Sequence, residues 1–162
     1  MKKIVLTGAA GRLGSYLREP LLRLAQELVS SDIIESIGTL HPNETYVRAD
    51  LSDLSAMIDL LKGADMVVHF GAIGDEAPFD AILQANIVGA YNIWEAAHQN
   101  GVKRVVYASS IHAVGMHKKT DFISTDVPHR PDTYYGLAKC FAEDLASLYW
   151  DKRSEEHTSE LQ

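Results

Sequence analysis

The segment Thr7-Gly8-Ala9-Ala10-Gly11-Arg12-Leu13-Gly14 constrains this chain more than any other. It follows residues 3–7, KIVLT, a short apolar run that reads as a buried strand. Its Gly-x-x-Gly-x-x-Gly spacing, between a strand and a helix, is a relative of the Gly-x-Gly-x-x-Gly dinucleotide fingerprint. Glycine permits the tight turn and lets a backbone approach a pyrophosphate, while the helix N-terminus offers unpaired N–H donors. The plainer alternative is a strand-to-helix turn that needs glycine only for its geometry.

The remainder alternates in the same way. Leu13, Leu17, Leu21, Leu24 and Leu28 recur at helical spacing over residues 13–28, and Pro20 should kink or divide that helix. A second strand is expected near residues 28–31 and a third over 45–49. Asp50-Leu51-Ser52-Asp53 follows, where Ser52 or Asp53 can cap a helix over 54–62. Residues 66–70 (MVVHF) and 104–108 (RVVYA) are continuous apolar runs, which suit parallel strands covered on both faces. Between them, Ile82, Ala85, Gly89, Ile93 and Ala97 mark a helix over 79–99. After a loop with Gly115, Pro128 and Pro131, a last helix over 132–150 carries Ala138, Phe141, Leu145, Leu148 and Tyr149 on one side. The alternation predicts an α/β fold, a Rossmann-like doubly wound parallel sheet, as one domain over residues 1–152. In a sheet of order 3-2-1-4-5-6 the fifth strand pairs with a sixth, which is not found here. Val105 and Val106 are therefore expected on an exposed apolar edge that recruits other chains, leaving the isolated chain aggregation-prone and inactive.

With 22 acids against 15 bases the net charge is -7, a poor match to a phosphate backbone, so nucleic acid is not an expected partner. The single cysteine, Cys140, excludes an intrachain disulfide and a cysteine-built zinc site, and fits a reducing, cytoplasmic setting. No apolar run approaches the roughly eighteen residues of a membrane span. Gly8 and Gly11 interrupt what would be the core of a signal peptide.

Asp32 lies 18 positions beyond Gly14, near the end of the second strand. A carboxylate there can accept hydrogen bonds from an adenosine ribose and would repel a 2′-phosphate, which favours NAD over NADP. Arg12 would partly offset that repulsion, and a helix cap or solvated turn is the alternative role for Asp32. Asp50 and Leu51 are placed to hold an adenine edge, and Gly71-Ala72-Ile73 to let the cofactor lie close. Tyr135 and Lys139, four residues apart at the start of the last helix, share a face. A phenol is a poor base at neutral pH, having an unperturbed pKa near 10. An ammonium nearby favours its phenolate and makes proton abstraction from an alcohol feasible. Ser110, after the fifth strand, is placed to bond the same reacting oxygen. Amphipathic surface decoration is the competing explanation of this spacing.

Here the sequence resembles the extended short-chain dehydrogenase/reductases, of the NAD-dependent epimerase/dehydratase type, and within them most resembles the uronate dehydrogenases. The matching segments are TGAAGRLG (7–14), PFDAILQANIVGAYNIWEAA (78–97), ASSIHAVG (108–115) and RPDTYYGLAKCFAEDLASLY (130–149). The resemblance implies Tyr135 as general base, Lys139 favouring its phenolate and holding a nicotinamide ribose, and Ser110 orienting the substrate hydroxyl. It implies a cofactor site of Gly8, Gly11, Arg12, Leu13, Gly14, Asp32, Ile33, Asp50, Leu51, Gly71, Ala72, Ile73, Asn86, Tyr135 and Lys139. Gly74, Ser110, Ile111, His112 and Tyr135 would meet the sugar. The implied reaction removes hydride from C1 of a cyclic hexuronate, galacturonate or glucuronate, giving NADH and an aldarolactone. Any assembly is expected to be a homo-oligomer.

Two positions depart from the pattern: Gly74 stands where a serine is usual, and Ile111 replaces an asparagine. Losing two polar groups should weaken or redirect hydroxyl recognition. The family also continues past this chain, with later strands and an arginine that clamps the sugar carboxylate. Sugar-nucleotide dehydratases place an Asp-Glu pair where Ile111 and His112 stand, and epimerases a tyrosine where Val114 stands. A sensor that binds NAD(H) without turnover is a reading of another class, disfavoured by the intact Tyr135, Lys139 and Ser110. His112, His117 and His129 match no familiar ligand spacing, so no metal is expected. His41, His69 and His98 are read as structural, and Cys140 as packing rather than nucleophilic. Residues 153–162, RSEEHTSELQ, break from the helical pattern and resemble translated sequencing adapter, a non-native tail. The codons for these ten residues are expected to spell that adapter; any other spelling refutes the reading.

Overall fold

The computed structural model describes residues 1–159, with side chains through residue 152. Its elements are β1 (Lys3–Thr7), α1 (Arg12–Leu22), β2 (Glu27–Asp32), β3 (Glu44–Arg48), α2 (Leu54–Leu60), β4 (Met66–His69), α3 (Phe79–Ile82), α4 (Gly89–Gln99), β5 (Arg104–Tyr107) and α5 (Tyr134–Ser159). A π-helical turn, Leu83–Val88, joins α3 to α4, and a 3₁₀ turn spans Ile111–Val114. The expected alternation is present. The chain forms two compact units: Met1–Ala72 with Val88–Ala108, and Ile73–Ile87 with the chain from Ser109 onward.

The first unit holds the whole sheet, in the order β3-β2-β1-β4-β5 with every neighbouring pair parallel. This is the doubly wound, Rossmann-like arrangement anticipated from the apolar runs. Ile4, Leu6, Leu28, Met66 and Val68 project to one side of it and pack with Ala9 and Leu21, with Leu17 and Leu22 against them. Pleat alternation sends Val5, Val29 and Val67, all buried, to the other side. The sheet edges are β3 and β5; on β5, Val106 is 43% exposed and Val105 half-buried.

Local boundaries moved for identifiable reasons. The first helix does not run over 13–28: α1 ends at Leu22, two residues beyond Pro20, whose ring nitrogen has no N–H to bond the Tyr16 carbonyl. Leu24 falls in the turn after it, and Leu28 is a fully buried strand residue, so the leucine stripe spans two elements. Of the two candidate caps for α2, Asp53 is the one used, accepting from the Ala56 N–H at 3.0 Å. The last helix begins at Tyr134 rather than 132, and its backbone continues past residue 150 to Ser159. Residues 160–162 of the expected tail, and the side chains of 153–159, lie outside the described residues.

Tertiary structure also pairs two charges whose link is not apparent in the sequence. Arg18 and Glu44 form a buried two-pronged ion pair, Nε to Oε1 at 2.7 Å and Nη2 to Oε2 at 2.9 Å. Ser30 Oγ donates to Oε1 (2.5 Å) and the His41 N–H to Oε2 (2.9 Å), while Arg18 reaches the carbonyls of Ile37 and Thr39. Burial alone would raise the Glu44 pKa, but these donors outweigh it and hold the carboxyl below the usual carboxylate range. Removing one partner strands a buried charge, so Arg18→Met is expected to cost about 3–5 kcal/mol in urea unfolding. Because the folded-state pKa is lowered, the stability Glu44 contributes is present above the ordinary carboxylate pKa and fades as pH falls through the folded value. Glu44→Gln should flatten that acid limb; an unchanged acid profile would count against the pair's role.

Candidate active site

The glycine loop lies at the C-terminal end of β1, the central strand. Gly8 has a left-handed φ of +73°, and an added Cβ would lie 2.5 Å from the Gly71 nitrogen and 2.6 Å from the Phe70 carbonyl carbon. At Gly14 a Cβ would fall 2.0 Å from the Gly8 oxygen. Both positions exclude any side chain, and Gly11, at 3.2 Å from the same oxygen, is tight. Gly11, Arg12 and Leu13 are exposed at the start of α1, whose first turn receives no side-chain cap. The Gly11 N–H donates to the Gly8 carbonyl at 3.0 Å, so the Arg12 and Leu13 N–H groups are the donors an anion would use. Asp32 ends β2 and turns back to this loop: its Oδ2 accepts the Ala10 N–H at 2.9 Å and its Oδ1 the Ile33 N–H at 2.7 Å. One bond on each oxygen leaves lone pairs for ribose hydroxyls.

Asp50 accepts from the Ser52 N–H and hydroxyl at 2.9 Å each, and Leu51 is anchored when Asn92 donates to its carbonyl at 2.8 Å. Leu51 Cδ1, the end of a flexible side chain, lies 2.9 Å from where a Cβ on Gly71 would be, so Leu51 would have to shift to admit one. Asn92 was not singled out in the sequence; nothing marks a helix asparagine whose partner is 41 residues away. His69 is fully enclosed, 2.6 Å from Thr7 Oγ1 and stacked on Tyr107, which agrees with its structural assignment.

The second unit carries Asn86, Ser110, Tyr135 and Lys139. Asn86, buried in the π-helical turn, accepts the Ile73 N–H (2.8 Å) and donates to the Ile73 carbonyl (2.9 Å). Its amide is thus committed to fixing the backbone that leads out of Gly71-Ala72. Ser110 Oγ accepts the His112 N–H at 3.2 Å, which leaves its own hydroxyl proton free to donate. Tyr135 stands in the first turn of α5. Glu76 accepts the N–H groups of Tyr134 (3.2 Å) and Tyr135 (3.0 Å), and Thr133 Oγ1 accepts that of Gly136 (2.9 Å). A carboxylate and a hydroxyl thereby close the positive end of the helix and fix where Tyr135 begins. The helical spacing signalled Tyr135 and Lys139, but Thr133 was not singled out, and Glu76 is 58 residues from its first partner.

Lys139 is buried and its Nζ lies 5.3 Å from the centre of the Tyr135 ring, within cation–π reach. The expected pair is therefore real in space. Burial disfavours the charged form and lowers the Lys139 pKa to about 8. His112 meets the Tyr135 ring edge-on, with centres 5.8 Å apart. Gly136 admits no Cβ, which would fall 2.2 Å from the His112 oxygen, so the backbone at His112 packs directly on α5. Gly74 has open space where a Cβ would be, and Ile111 is 81% exposed. His117 goes to the Pro128 carbonyl and His129 to Glu143, so the three loop histidines have separate partners. Cys140 is buried with its thiol pKa pushed up by burial, the condition of a packing residue.

Comparison with known proteins now adds the lineage. Residues 4–155 match the NAD dependent epimerase/dehydratase family. The chain belongs to that family. Among curated proteins it is 43% identical over 150 residues to a uronate dehydrogenase of Pseudomonas putida, covering 93% of this chain and 56% of that protein. It is 45% identical over 156 residues to the uronate dehydrogenase of Agrobacterium fabrum, covering 96% and 58%. A solved uronate dehydrogenase from Agrobacterium tumefaciens, a point mutant complexed with NAD, superposes with a TM-score of 0.90 at 45% identity, covering 94% of this chain and 57% of that one. The chain thus spans little more than half the length of these relatives. Among the described residues, no helix is long and apolar enough to cross a membrane.

Lys139 supplies the test of the electrostatics. Since its folded-state pKa is lowered, the cost of burying its charge is constant below about 8 and disappears as pH rises towards the ordinary lysine value of 10.5, so the chain gains stability across that window. An NMR titration of the side-chain nitrogen, assigned against Lys139→Arg, should show a midpoint near 8 in the cofactor-free protein. A midpoint near 10.5 would contradict the burial.

Proposed function

We propose that the protein is an NAD-dependent oxidoreductase that oxidises C1 of a cyclic hexuronate, galacturonate or glucuronate, to the aldarolactone. The observation that carries this is the buried Lys139 ammonium set over the ring of Tyr135, in a chain whose curated relatives include uronate dehydrogenases. The dinucleotide fits the residues present: a loop that admits no side chain at Gly8 and Gly14, an uncapped α1 N-terminus for the pyrophosphate, and Asp32 with spare lone pairs for the ribose. Leu13, Ile33, Asp50, Leu51, Ala72 and Ile73 would line its path, and Asn86 would hold that last backbone in place. When bound, NAD accepts the hydride; the protein's part is binding, orientation and proton handling.

Ser110 donates a hydrogen bond to the C1 hydroxyl and holds it. Tyr135, as phenolate, takes the hydroxyl proton. Lys139 stabilises that phenolate by its charge and bonds the nicotinamide ribose. His112 sits against the sugar, and Gly74 and Ile111 give this site fewer polar contacts than a serine and an asparagine would. The working partner is a small sugar acid, in a cytoplasmic setting suited to a reduced Cys140. A sugar-nucleotide epimerase or dehydratase and a non-catalytic NAD(H) sensor are the competing activities.

In the whole protein, galacturonate and NAD should give NADH absorbance, whereas UDP-glucose should not. Tyr135→Phe should cut turnover by about 10²–10⁴-fold, the contribution of a positioned general base, while NAD affinity measured by calorimetry stays within about twofold. Turnover that survives this substitution would remove Tyr135 as the base. Absence of any sugar-acid turnover with intact NAD binding would instead favour the sensor.

A further inference from the structure

Asp132 lies three residues before Tyr135, and its carboxylate fills space that Gly115 leaves by having no side chain: a Cβ there would fall 2.2 Å from Asp132 Oδ2. Its Oδ1 lies 2.8 Å from His112 Nδ1 and also accepts from Thr133 Oγ1 at 3.3 Å. The backbone closes the same pairing, because the Asp132 N–H donates to the His112 carbonyl. The His112 side chain is nonetheless 41% exposed and meets Tyr135 edge-on. A half-open imidazole beside the base, tethered through one nitrogen only, is built to offer the other.

We infer that Asp132 is a positioning residue that holds His112 with its proton on Nδ1, so that Nε2 faces the sugar as a hydrogen-bond acceptor for a ring hydroxyl. This rests on the hexuronate reading above and extends it to the tautomer of one residue. A carboxylate kept ionised can only accept, and the His112 hydrogen bond itself holds Asp132 below the usual carboxylate range. The hydrogen between them must therefore belong to Nδ1, and in the neutral ring Nε2 is left with a lone pair. An Nε2 acceptor selects a hydroxyl that donates, whereas the opposite tautomer would present N–H and select an ether or carbonyl oxygen. Asp132 would thus decide which sugar oxygens are tolerated without touching the sugar.

The test is NMR of the uniformly ¹⁵N-labelled protein, read at the histidine ring nitrogens and the backbone amides, at a pH where the ring of His112 is neutral, before and after addition of galacturonate. The Nδ1–H form of His112 should exceed the Nε2–H form by about tenfold or more, the bias a charge-assisted hydrogen bond supplies, and galacturonate should shift Nε2. Asp132→Asn, which keeps the side-chain shape beside Gly115, should abolish the tautomer bias and the galacturonate response together. A predominantly Nε2–H ring in the unsubstituted protein would overturn the inference whatever the sugar does, and needs no variant to fold. If galacturonate shifts Ser110 and Tyr135 but not His112 Nε2, the sugar contact is wrong while the hexuronate reading stands. If galacturonate shifts no resonance, the hexuronate reading itself has failed and takes the sugar contact with it.

Discussion

Backbone meets backbone at Gly8, and the first unit is arranged around that contact. An L-residue in its left-handed conformation costs roughly 1–2 kcal/mol from the dihedral alone. Its Cβ would in addition overlap the Phe70–Gly71 peptide. With no side chain there, the end of β1, the end of β4 and the first turn of α1 converge within contact distance. The open N-terminus of α1 is thereby set at the C-terminal ends of the central strands, and Asp32 on the neighbouring strand can reach the Ala10 N–H. In open parallel sheets this is where ligands bind.

The two functional helices treat their N-termini in opposite ways. The first turn of α1 carries no side-chain cap and leaves its donors exposed. That of α5 is closed by Glu76 and Thr133. The exposed donors at α1 are open to an anion, whereas the satisfied N–H groups at α5 fix the first turn, which carries Tyr135. Lys139 is the costly part of that arrangement, since burial drives its pKa down to about 8. Its charge is held close to the point where it can be lost.

Glycines separate packing from function here. Gly8, Gly14, Gly115 and Gly136 have no room for a side chain, whereas a Cβ on Gly74 would meet nothing within 4 Å. Folding therefore does not require glycine at position 74. Ile111, lying between Ser110 and His112, is 81% exposed and is likewise not a core residue. Both departures from the uronate dehydrogenase pattern lie on open surface, where packing does not dictate the residue. On the edge strand β5, Val106 is apolar and 43% exposed.

Alternating strand and helix signals were enough to place every strand of the sheet, most plainly β1 and β4, whose burial leaves a continuous hydrophobic signature, whereas β3, with only Glu44 buried, carries no such run. They also exposed the glycine loop, Asp32, and the Tyr135–Lys139 pair, whose signals are local: a turn that needs glycine, a strand end, and one helical turn. Pro20 warned that the leucine stripe would break, yet Leu28 looked helical because leucine serves a helix face and a buried strand equally well. What no local pattern held were the partners of charged and polar groups. Arg18 with Glu44, Glu76 with α5, Asn92 with Leu51 and Asp132 with His112 are joined across 20 to 59 residues of chain. Hydrogen bonds form between groups that folding brings within about 3 Å, and that proximity belongs to the tertiary structure alone. The sequence by itself determined the sheet, its glycine turn and the identity of the reactive side chains; the folded chain decided which carboxylate orients which donor, and so how those side chains are held.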